Sequence, residues 1–262
     1  MVDLNPERVG DYFAGEGTVE TWWTPDTGPL AFHYDAEVAA LDDYLSIDPA
    51  WQVLDIGTGR GRFGLHFARS GCSVVGVDAN AGMLEAAAEG ARQLGVSDRF
   101  KLIRGRAEDL GQIEDGAYDL VLCMELFDHL PDAGLVIREM ASKLSPSGVL
   151  AFTYVPGASL YGAIGNVYRW IQTRRGAGEG LISRTYALNE VERLLAEAGL
   201  RLDRYWGVGL LCASAQTRLF LDNPLMRAAT ALARAESRIR PYHSSPLLAR
   251  HAAHVVGLAR RA

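Results

Sequence analysis

Short apolar runs alternate with helical patterns between residues 51 and 155, and this alternation restricts the fold more than any other feature of the sequence. Strands separated by helices of about 10–15 residues predict βαβ units and a parallel sheet. The segments VLDI, SVVGV and DLVLC are apolar without alternation, which is typical of strands covered on both faces. The predicted strands are WQVLDI (51–56), CSVVGVD (72–78), FKLIRG (100–105), YDLVLCM (118–124) and SGVLAFTYV (147–155).

The two ends of the chain are less regular. ALNEVERLLAEAG (187–199) predicts an amphipathic helix, and RLDRYWGVG and HAAHVVGLA predict strands after it. The interval between those strands is too long for a hairpin loop, so we expect helices in it. The predicted organisation is an N-terminal helical or lid segment over 1–50, then a cofactor-binding domain over 51–262 with a helical insertion at about 212–250.

The turn after the first strand, VLDIGTGRGRFG, places Asp55 before Gly57, Gly59 and Gly61. Glycines after a buried strand let a ligand approach the backbone at a helix N-terminus. The dinucleotide fingerprint G-x-G-x-x-G fails because its sixth position is Arg62. A carboxylate here would repel a pyrophosphate, but it favours the sulfonium and ammonium groups of S-adenosylmethionine. We therefore expect S-adenosylmethionine as the cofactor.

The second predicted strand ends at Asp78. An acidic residue at this position can accept hydrogen bonds from both ribose hydroxyls of a nucleoside. The alternative is that Asp78 only caps the helix that starts near Asn80.

The stretch from about 51 to 155 resembles the core of class I S-adenosylmethionine-dependent methyltransferases, notably in YDLVLCMELFDHL and KLSPSGVLAFTY. CMELFDHL, the pair Trp22-Trp23 and ISRTYALNEVERLLAEAGL are similar to the O-methyltransferases of ubiquinone biosynthesis. The resemblance implies an α/β fold: a Rossmann-like, seven-stranded, mostly parallel sheet with helices on both faces and one antiparallel strand. The insertion would add a helical cap.

The resemblance also implies the cofactor contacts. Arg106 stands where the family often has an acid that binds the adenine, so this contact is assigned to the backbone of Ala107, with Glu108 as a replacement. Simple strand packing is the alternative for Cys123. The predicted cofactor-binding residues are Asp55, Gly57, Thr58, Gly59, Gly61, Asp78, Ala79, Met83, Ala107, Glu108, Cys123 and Met124.

In-line transfer of a sulfonium methyl needs alignment and exclusion of water, and a hydroxyl acceptor also benefits from a base. His129, just past the fourth strand, is the first candidate base, with helix capping or packing as the alternative. His33 in GPLAFHYD is the second candidate, and Tyr154 at the end of the fifth strand could face the acceptor. Glu125 and Asp128 are interpreted as structural or cofactor-side groups rather than bases.

The remaining histidines and the cysteines indicate no metal site. His251 and His254 are assigned to packing, and no histidines or cysteines have metal-ligand spacing, so we predict metal-independent transfer. Cys72, Cys123 and Cys212 lie far apart, as expected of reduced thiols. No secretory signal or membrane-spanning run is visible, and a cytoplasmic location is predicted.

The formal charge of −6 is uneven, because residues 227–262 hold seven arginines and one glutamate. The acidic main body argues against a nucleic-acid partner. Leu225, Leu232 and Ile239 recur every seven residues, which predicts an amphipathic helix. A cap helix packed on the sheet is favoured for it over contact with a membrane surface or with an anionic acceptor.

The predicted function is methyl transfer to a small-molecule acceptor, at a hydroxyl oxygen of a quinone-like or specialised metabolite. Nitrogen or carbon methylation and a non-methylating relative stay open, because the core motifs bind the cofactor and not the acceptor. A nicotinamide-dependent oxidoreductase is the alternative from another class. The sequence does not indicate the oligomeric state.

Overall fold

The computed structural model describes residues 31–159, 163, 184–209, 231–232, 235 and 246–262, without the side chains of 31–33 and 246. The helices are α1 (Ala31–Tyr44), α2 (Arg62–Arg69), α3 (Ala81–Leu94), α4 (Ala133–Lys143), α5 (Leu188–Glu197) and α6 (Pro246–Ala249). The strands are β1 (Gln52–Ile56), β2 (Ser73–Asp78), β3 (Phe100–Arg104), β4 (Tyr118–Cys123), β5 (Leu144–Tyr154), β6 (Leu200–Val208) and β7 (His254–Arg261). A 3-10 turn, Phe127–His129, follows β4.

The strands form one seven-stranded sheet in the order β3-β2-β1-β4-β5-β7-β6. Strands β1 to β5 pair in parallel, and β7 is antiparallel to both of its neighbours. The prediction of a mostly parallel sheet with one antiparallel strand is therefore confirmed. In this register Val255 lies opposite Tyr154, and His254 lies opposite Val208. The start of β7 thus meets the carboxyl ends of the parallel strands.

Hydrophobic cores cover both faces of the sheet, as the unbroken apolar runs predict. On one face, α4 and α5 pack against residues such as Leu54, Val121 and Phe152. On the other face, α1, α2 and α3 pack against neighbours such as Val53 and Leu122. Burial on both sides leaves the carboxyl edge of the sheet as the place where loops and polar side chains gather.

Helix α1 is fixed to the rest of the fold at two places. The Tyr44 ring stacks on the buried Trp206 of β6, with ring centroids 4.3 Å apart. On the other side, Nε2 of His66 on α2 lies 2.7 Å from Oδ1 of Asp42. Helix α1 therefore contacts the edge strand β6 and also helix α2, which packs on β1 and β2.

Several predictions concern residues outside the described part of the chain. They include the first 30 residues of the predicted helical or lid segment over 1–50, with Trp22 and Trp23, most of the insertion at about 212–250, and most of the amphipathic helix over 225–239. Within the described ranges, no helix has the length and apolar character needed to cross a membrane. The domain boundaries and the cytoplasmic location stay predictions.

Candidate functional site

Asp55 lies at the end of β1 and is buried, with 2% of its surface exposed. Its Oδ2 accepts hydrogen bonds from Oγ1 of Thr58 at 2.6 Å and from the Gly64 backbone N–H at 3.0 Å. Burial is the largest cause that raises the pKa of Asp55 to about 6, and the two hydrogen bonds act against it. Asp55 therefore fixes the following turn and the start of α2 from beneath.

The turn itself, residues 57–61, is called the glycine loop below. Gly57, Gly59 and Gly61 all have positive φ, at 70°, 53° and 84°. A Cβ at Gly57 would lie 2.7 Å from Cδ2 of Leu126, whereas a Cβ at Gly59 would meet nothing nearer than the Gly57 carbonyl oxygen at 4.0 Å. The loop is thus packed underneath at Gly57 and open at Gly59, which leaves room for a cofactor to approach the backbone.

Asp78 ends β2 and faces the glycine loop. Its Oδ2 accepts the Gly59 N–H at 2.8 Å, and its Oδ1 accepts the Asn80 N–H at 2.8 Å. Burial raises the pKa of Asp78, and the backbone hydrogen bonds oppose that rise. The cap of α3 is Asn80, whose side chain accepts from the Met83 N–H at 3.2 Å. Capping is therefore not the role of Asp78.

The segment after β3 borders Asp78 through its backbone, since the Gly105 N–H donates to the Asp78 carbonyl at 3.0 Å. Ala79 is half-buried and Met83 is buried. Ala107 and Glu108 are half-buried, and Glu108 Oε2 lies 3.5 Å from Nε of Arg106. The Glu108 carboxylate therefore lies in the segment after β3, where the sequence has Arg106 in place of the acid expected to bind the adenine.

Cys123 ends β4, which lies between β1 and β5, and Met124 follows it; both residues are buried. Burial is the main cause that raises the pKa of the Cys123 thiol, with Asp55 and Asp128 adding to the rise. The thiol is therefore protonated near neutral pH. Cys123 packs in the core under α4, so its role as a cofactor contact stays a prediction.

The three predicted acceptor-side residues come from different elements of the fold. His129 is buried in the 3-10 turn, with Nε2 3.6 Å from Oδ2 of Asp128. Tyr154 is 2% exposed and packs in the core formed with α4 and α5, and burial raises the pKa of its hydroxyl. His33 lies on α1, but its side chain is outside the described residues. Their catalytic roles stay predictions.

Sequence reasoning missed a group of three residues at the same edge, called the Glu–His cluster below. Nδ1 of His254 lies 2.7 Å from Oε1 of Glu125 and 3.1 Å from Oε1 of Glu37. Burial alone would lower the pKa of His254, but the two carboxylates outweigh it and hold the pKa well above 6.5. His254 is therefore a buried imidazolium between two acids, and its assignment to packing was incomplete.

One signal in the sequence could have revealed this cluster. On α1, Glu37 stands in the row of buried residues that includes Tyr34, Leu41 and, just after the helix, Leu45. An acid at an apolar position of a helix face requires a partner, because an isolated buried charge is costly. The position of Glu37 predicts a partner, but not that it comes from β7.

The fold and the site together define a class: an α/β enzyme that binds a nucleoside cofactor at the carboxyl edge of a Rossmann-like sheet. The open glycine loop and the carboxylates of Asp55 and Asp78 suit a cationic cofactor without phosphate.

Comparison with known proteins then identifies the family. A family model described as a methyltransferase domain matches residues 47–199. The chain is 30% identical over 193 residues to a ubiquinone biosynthesis O-methyltransferase of Chromobacterium violaceum, which covers 72% of this chain and 81% of that protein. A protein of the same name from Hahella chejuensis is 30% identical over 175 residues, covering 63% of this chain and 70% of its own length.

Solved structures show the same fold. Magnesium protoporphyrin IX methyltransferase from Synechocystis PCC 6803, solved with bound SAH, has a TM-score of 0.64 at 18% identity, over 98% of this chain and all of that one. The cyclase SpnF has a TM-score of 0.58 at 20% identity, over 87% of this chain and 80% of that one. The chain belongs to the methyltransferase domain family and is an S-adenosylmethionine-dependent methyltransferase. The oxidoreductase alternative is therefore wrong.

Proposed function

We propose that this enzyme transfers a methyl group to a hydroxyl oxygen of a small, quinone-like molecule. The observation that carries the proposal is the carboxyl edge of the sheet, where the open glycine loop lies beside Asp78 and the turn after β4. The preference for oxygen is supported by relatives named ubiquinone biosynthesis O-methyltransferase, at 26–32% identity.

The residues that would hold the cofactor are those of the first two strand ends. Gly59 offers an unobstructed stretch of backbone, and Asp78 supplies carboxylate oxygens for the ribose hydroxyls. Asp55 keeps the loop in shape through Thr58 and Gly64, and its ionised form is favoured by a nearby positive charge. Ala107 and Glu108, which are half-buried, would contact the adenine.

When bound, S-adenosylmethionine supplies a methyl group on a positively charged sulfur. The contribution of the chain is to hold the acceptor oxygen in line with that methyl group and to exclude water. Cys123 at the end of β4 and Met124 just after it are buried apolar residues, one in each of the two hydrophobic cores. A group on the acceptor side takes the hydroxyl proton, which contributes about 10²–10⁴-fold in rate.

The test is transfer from radiolabelled S-adenosylmethionine to an alkyl-substituted catechol, with product analysis by mass spectrometry. The matched acceptors are the corresponding alkyl aniline and the dimethyl ether of the catechol. We expect label in a mono-methyl ether of the catechol and none with the dimethyl ether. Transfer to the aniline alone would show a nitrogen methyltransferase and overturn the oxygen assignment.

A further inference from the structure

The Glu–His cluster joins three separate parts of the chain at the edge where methyl transfer is proposed. Glu37 comes from α1, Glu125 follows β4 and His254 begins β7. The exposed fractions of the three side chains are 0%, 22% and 11%, in that order. Glu125 is therefore the member that reaches the solvent-accessible side, and Glu37 lies at the back.

The backbone of Glu125 is unusual. It is the single non-glycine residue with positive φ, 58°, among residues 31–159, 184–209 and 246–262 that the structure describes. Such a conformation costs about 1–3 kcal/mol in a residue with a side chain and persists where neighbouring contacts enforce it. Two contacts enforce it here: the Glu125 N–H donates to Oγ1 of Thr153 at 2.6 Å, and the carboxylate pairs with His254.

Glu125 also adjoins the cofactor side of the site. Its neighbour Leu126 packs beneath Gly57, where an added Cβ would lie only 2.7 Å from Leu126 Cδ2. The turn that carries Glu125 is thus in contact with the glycine loop. His129, in the same turn, is buried, with 6% of its side chain exposed. Glu125 is consequently the more accessible of these two candidate proton acceptors.

We propose, on the basis of the proposed function, that Glu125 accepts the proton of the acceptor hydroxyl and that His254, Glu37 and Thr153 are positioning residues for its carboxylate. The acceptor O–H bond breaks, its electron pair stays on oxygen, and the proton goes to a carboxylate oxygen of Glu125. The oxygen then forms its bond to the methyl carbon while the pair of the carbon–sulfur bond passes to sulfur.

The charges around His254 fit this role. Among the described residues, the charged groups that act on His254 are Glu125 after β4 and Glu37 on α1. The neighbouring strands contribute uncharged side chains, Val208 on β6 and Thr153 on β5. The cluster therefore carries two carboxylates and one imidazolium, so its net charge is negative. This negative charge permits the cluster to take up one more proton.

The first experiment compares Glu125→Gln with wild type. The kcat for the alkyl catechol should fall about a hundredfold, while the affinity for S-adenosylhomocysteine, measured by calorimetry, stays within threefold. Glu89→Gln is the matched control, because Glu89 is an exposed acid on α3 paired with Arg92. An unchanged kcat in Glu125→Gln, with an active wild type, would overturn the role of Glu125 and leave the proposed function intact.

A second measurement needs no methyl transfer. 4-Nitrocatechol, whose ionised form absorbs visible light, is added to the complex with S-adenosylhomocysteine at a pH below its own pKa. We expect an ionised bound probe with wild type and a protonated one with Glu125→Gln. A protonated probe in wild type contradicts the proposal. A wild type that ionises the probe but methylates no hydroxyl would refute only the proposed function.

The positioning residues are tested by pH profile and by conservative rescue. In His254→Gln the acidic limb of the kcat profile should move to higher pH, because no imidazolium stabilises the charged carboxylate. Thr153→Val should lower kcat about tenfold, and Thr153→Ser, which keeps the Oγ acceptor, should restore it. A uniform loss at every pH, with equal losses in both Thr153 variants, indicates packing alone and overturns the positioning roles.

Loss of activity with EDTA and recovery with magnesium would make the cluster a cation site and overturn the proposal.

Discussion

The two polar regions at the carboxyl edge of the sheet are built in opposite ways. The glycine loop and its carboxylates lie between residues 55 and 78, and most of their hydrogen bonds involve backbone N–H groups. The Glu–His cluster consists of side chains from three elements, and 217 residues separate Glu37 from His254. The cofactor side is therefore determined by local sequence, whereas the opposite side depends on correct assembly of the whole sheet.

The largest expected effect contrasts two histidines that both pair with α1. Removing one partner from a buried ion pair costs about 3–5 kcal/mol, so His254→Gln should lower the free energy of unfolding by that amount at pH 6. His66→Gln removes a pair with Asp42 that is 25% and 43% exposed, and should cost less than about 1 kcal/mol. Urea denaturation measures both, and equal losses would show that burial does not distinguish the two pairs.

The loss in His254→Gln should also depend on pH. A pKa held above 6.5 in the folded state means that the stabilisation is complete below pH 6.5 and is lost as pH rises through the folded pKa. The difference between wild type and His254→Gln should therefore shrink at alkaline pH. A constant difference between pH 6 and pH 10 would mean that the imidazolium is not the source of the stability.

The next effect concerns Asp55, on the cofactor side. Its pKa rises from 3.8 to about 6 on folding, so its contribution to stability is complete below pH 3.8 and disappears as pH rises through about 6. Relative to Asp55→Asn, wild type should lose roughly 3 kcal/mol between pH 4 and pH 7. The check is a series of urea denaturation curves over this range, and parallel stability profiles for the two proteins would contradict the prediction.

A smaller effect tests whether the two regions touch. Gly57→Ala and Gly95→Ala each place a side chain at positive φ, which costs about 1–2 kcal/mol. Only Gly57 also meets Leu126, so its substitution should cost about 1 kcal/mol more and should lower kcat by moving the turn that carries Glu125. Thermal denaturation measures the stability losses, and steady-state kinetics measures kcat. Equal stability losses in the two variants with an unchanged kcat would show that the glycine loop does not contact the turn that carries Glu125.

The last prediction concerns cofactor binding and the variant Asp78→Ala. Losing the hydrogen bonds that hydroxyl groups donate to a carboxylate costs about 1.5–3 kcal/mol, which is roughly a ten- to hundredfold weaker affinity for S-adenosylhomocysteine. Asp98→Ala, at an exposed acid after α3, serves as the control. Calorimetry showing wild-type affinity in Asp78→Ala would place the ribose elsewhere.

The sheet could be predicted from the sequence because strands that are buried on both faces consist of unbroken runs of apolar residues. The predicted bounds of β1 to β4 agree with the structure to within one residue at either end. Strand β5 begins at Leu144 rather than at 147, because Ser145, Pro146 and Ser147 are typical of a turn and yet continue the strand. Leu144 pairs with Tyr118 of β4 and pairing resumes at Val149 with Leu120, so these three residues lie at a register shift within the strand.

The site was predictable only as far as it is local. Asp55, the glycines and Asp78 stand in one motif, and the fold brings them together. His254 gave no comparable signal, because its partners lie on α1 and after β4, and nothing in a single sequence links these positions. The positive φ of Glu125 was equally invisible, since it results from contacts with Thr153 and His254 rather than from the residue itself.

On helix α1, Asp42 pairs with His66 of α2 and Glu37 pairs with His254 of β7, so this helix contacts elements of both regions. A displacement of this helix would change its contacts with α2 and with β7 together, which would link the free energies of cofactor binding and acceptor binding. Such linkage is reciprocal. If the bound cofactor restricts the movement of α1 and thereby raises the affinity for the acceptor, the bound acceptor raises the affinity for the cofactor by the same factor. In that case helix α1 gives the enzyme a route to cooperative loading within one subunit.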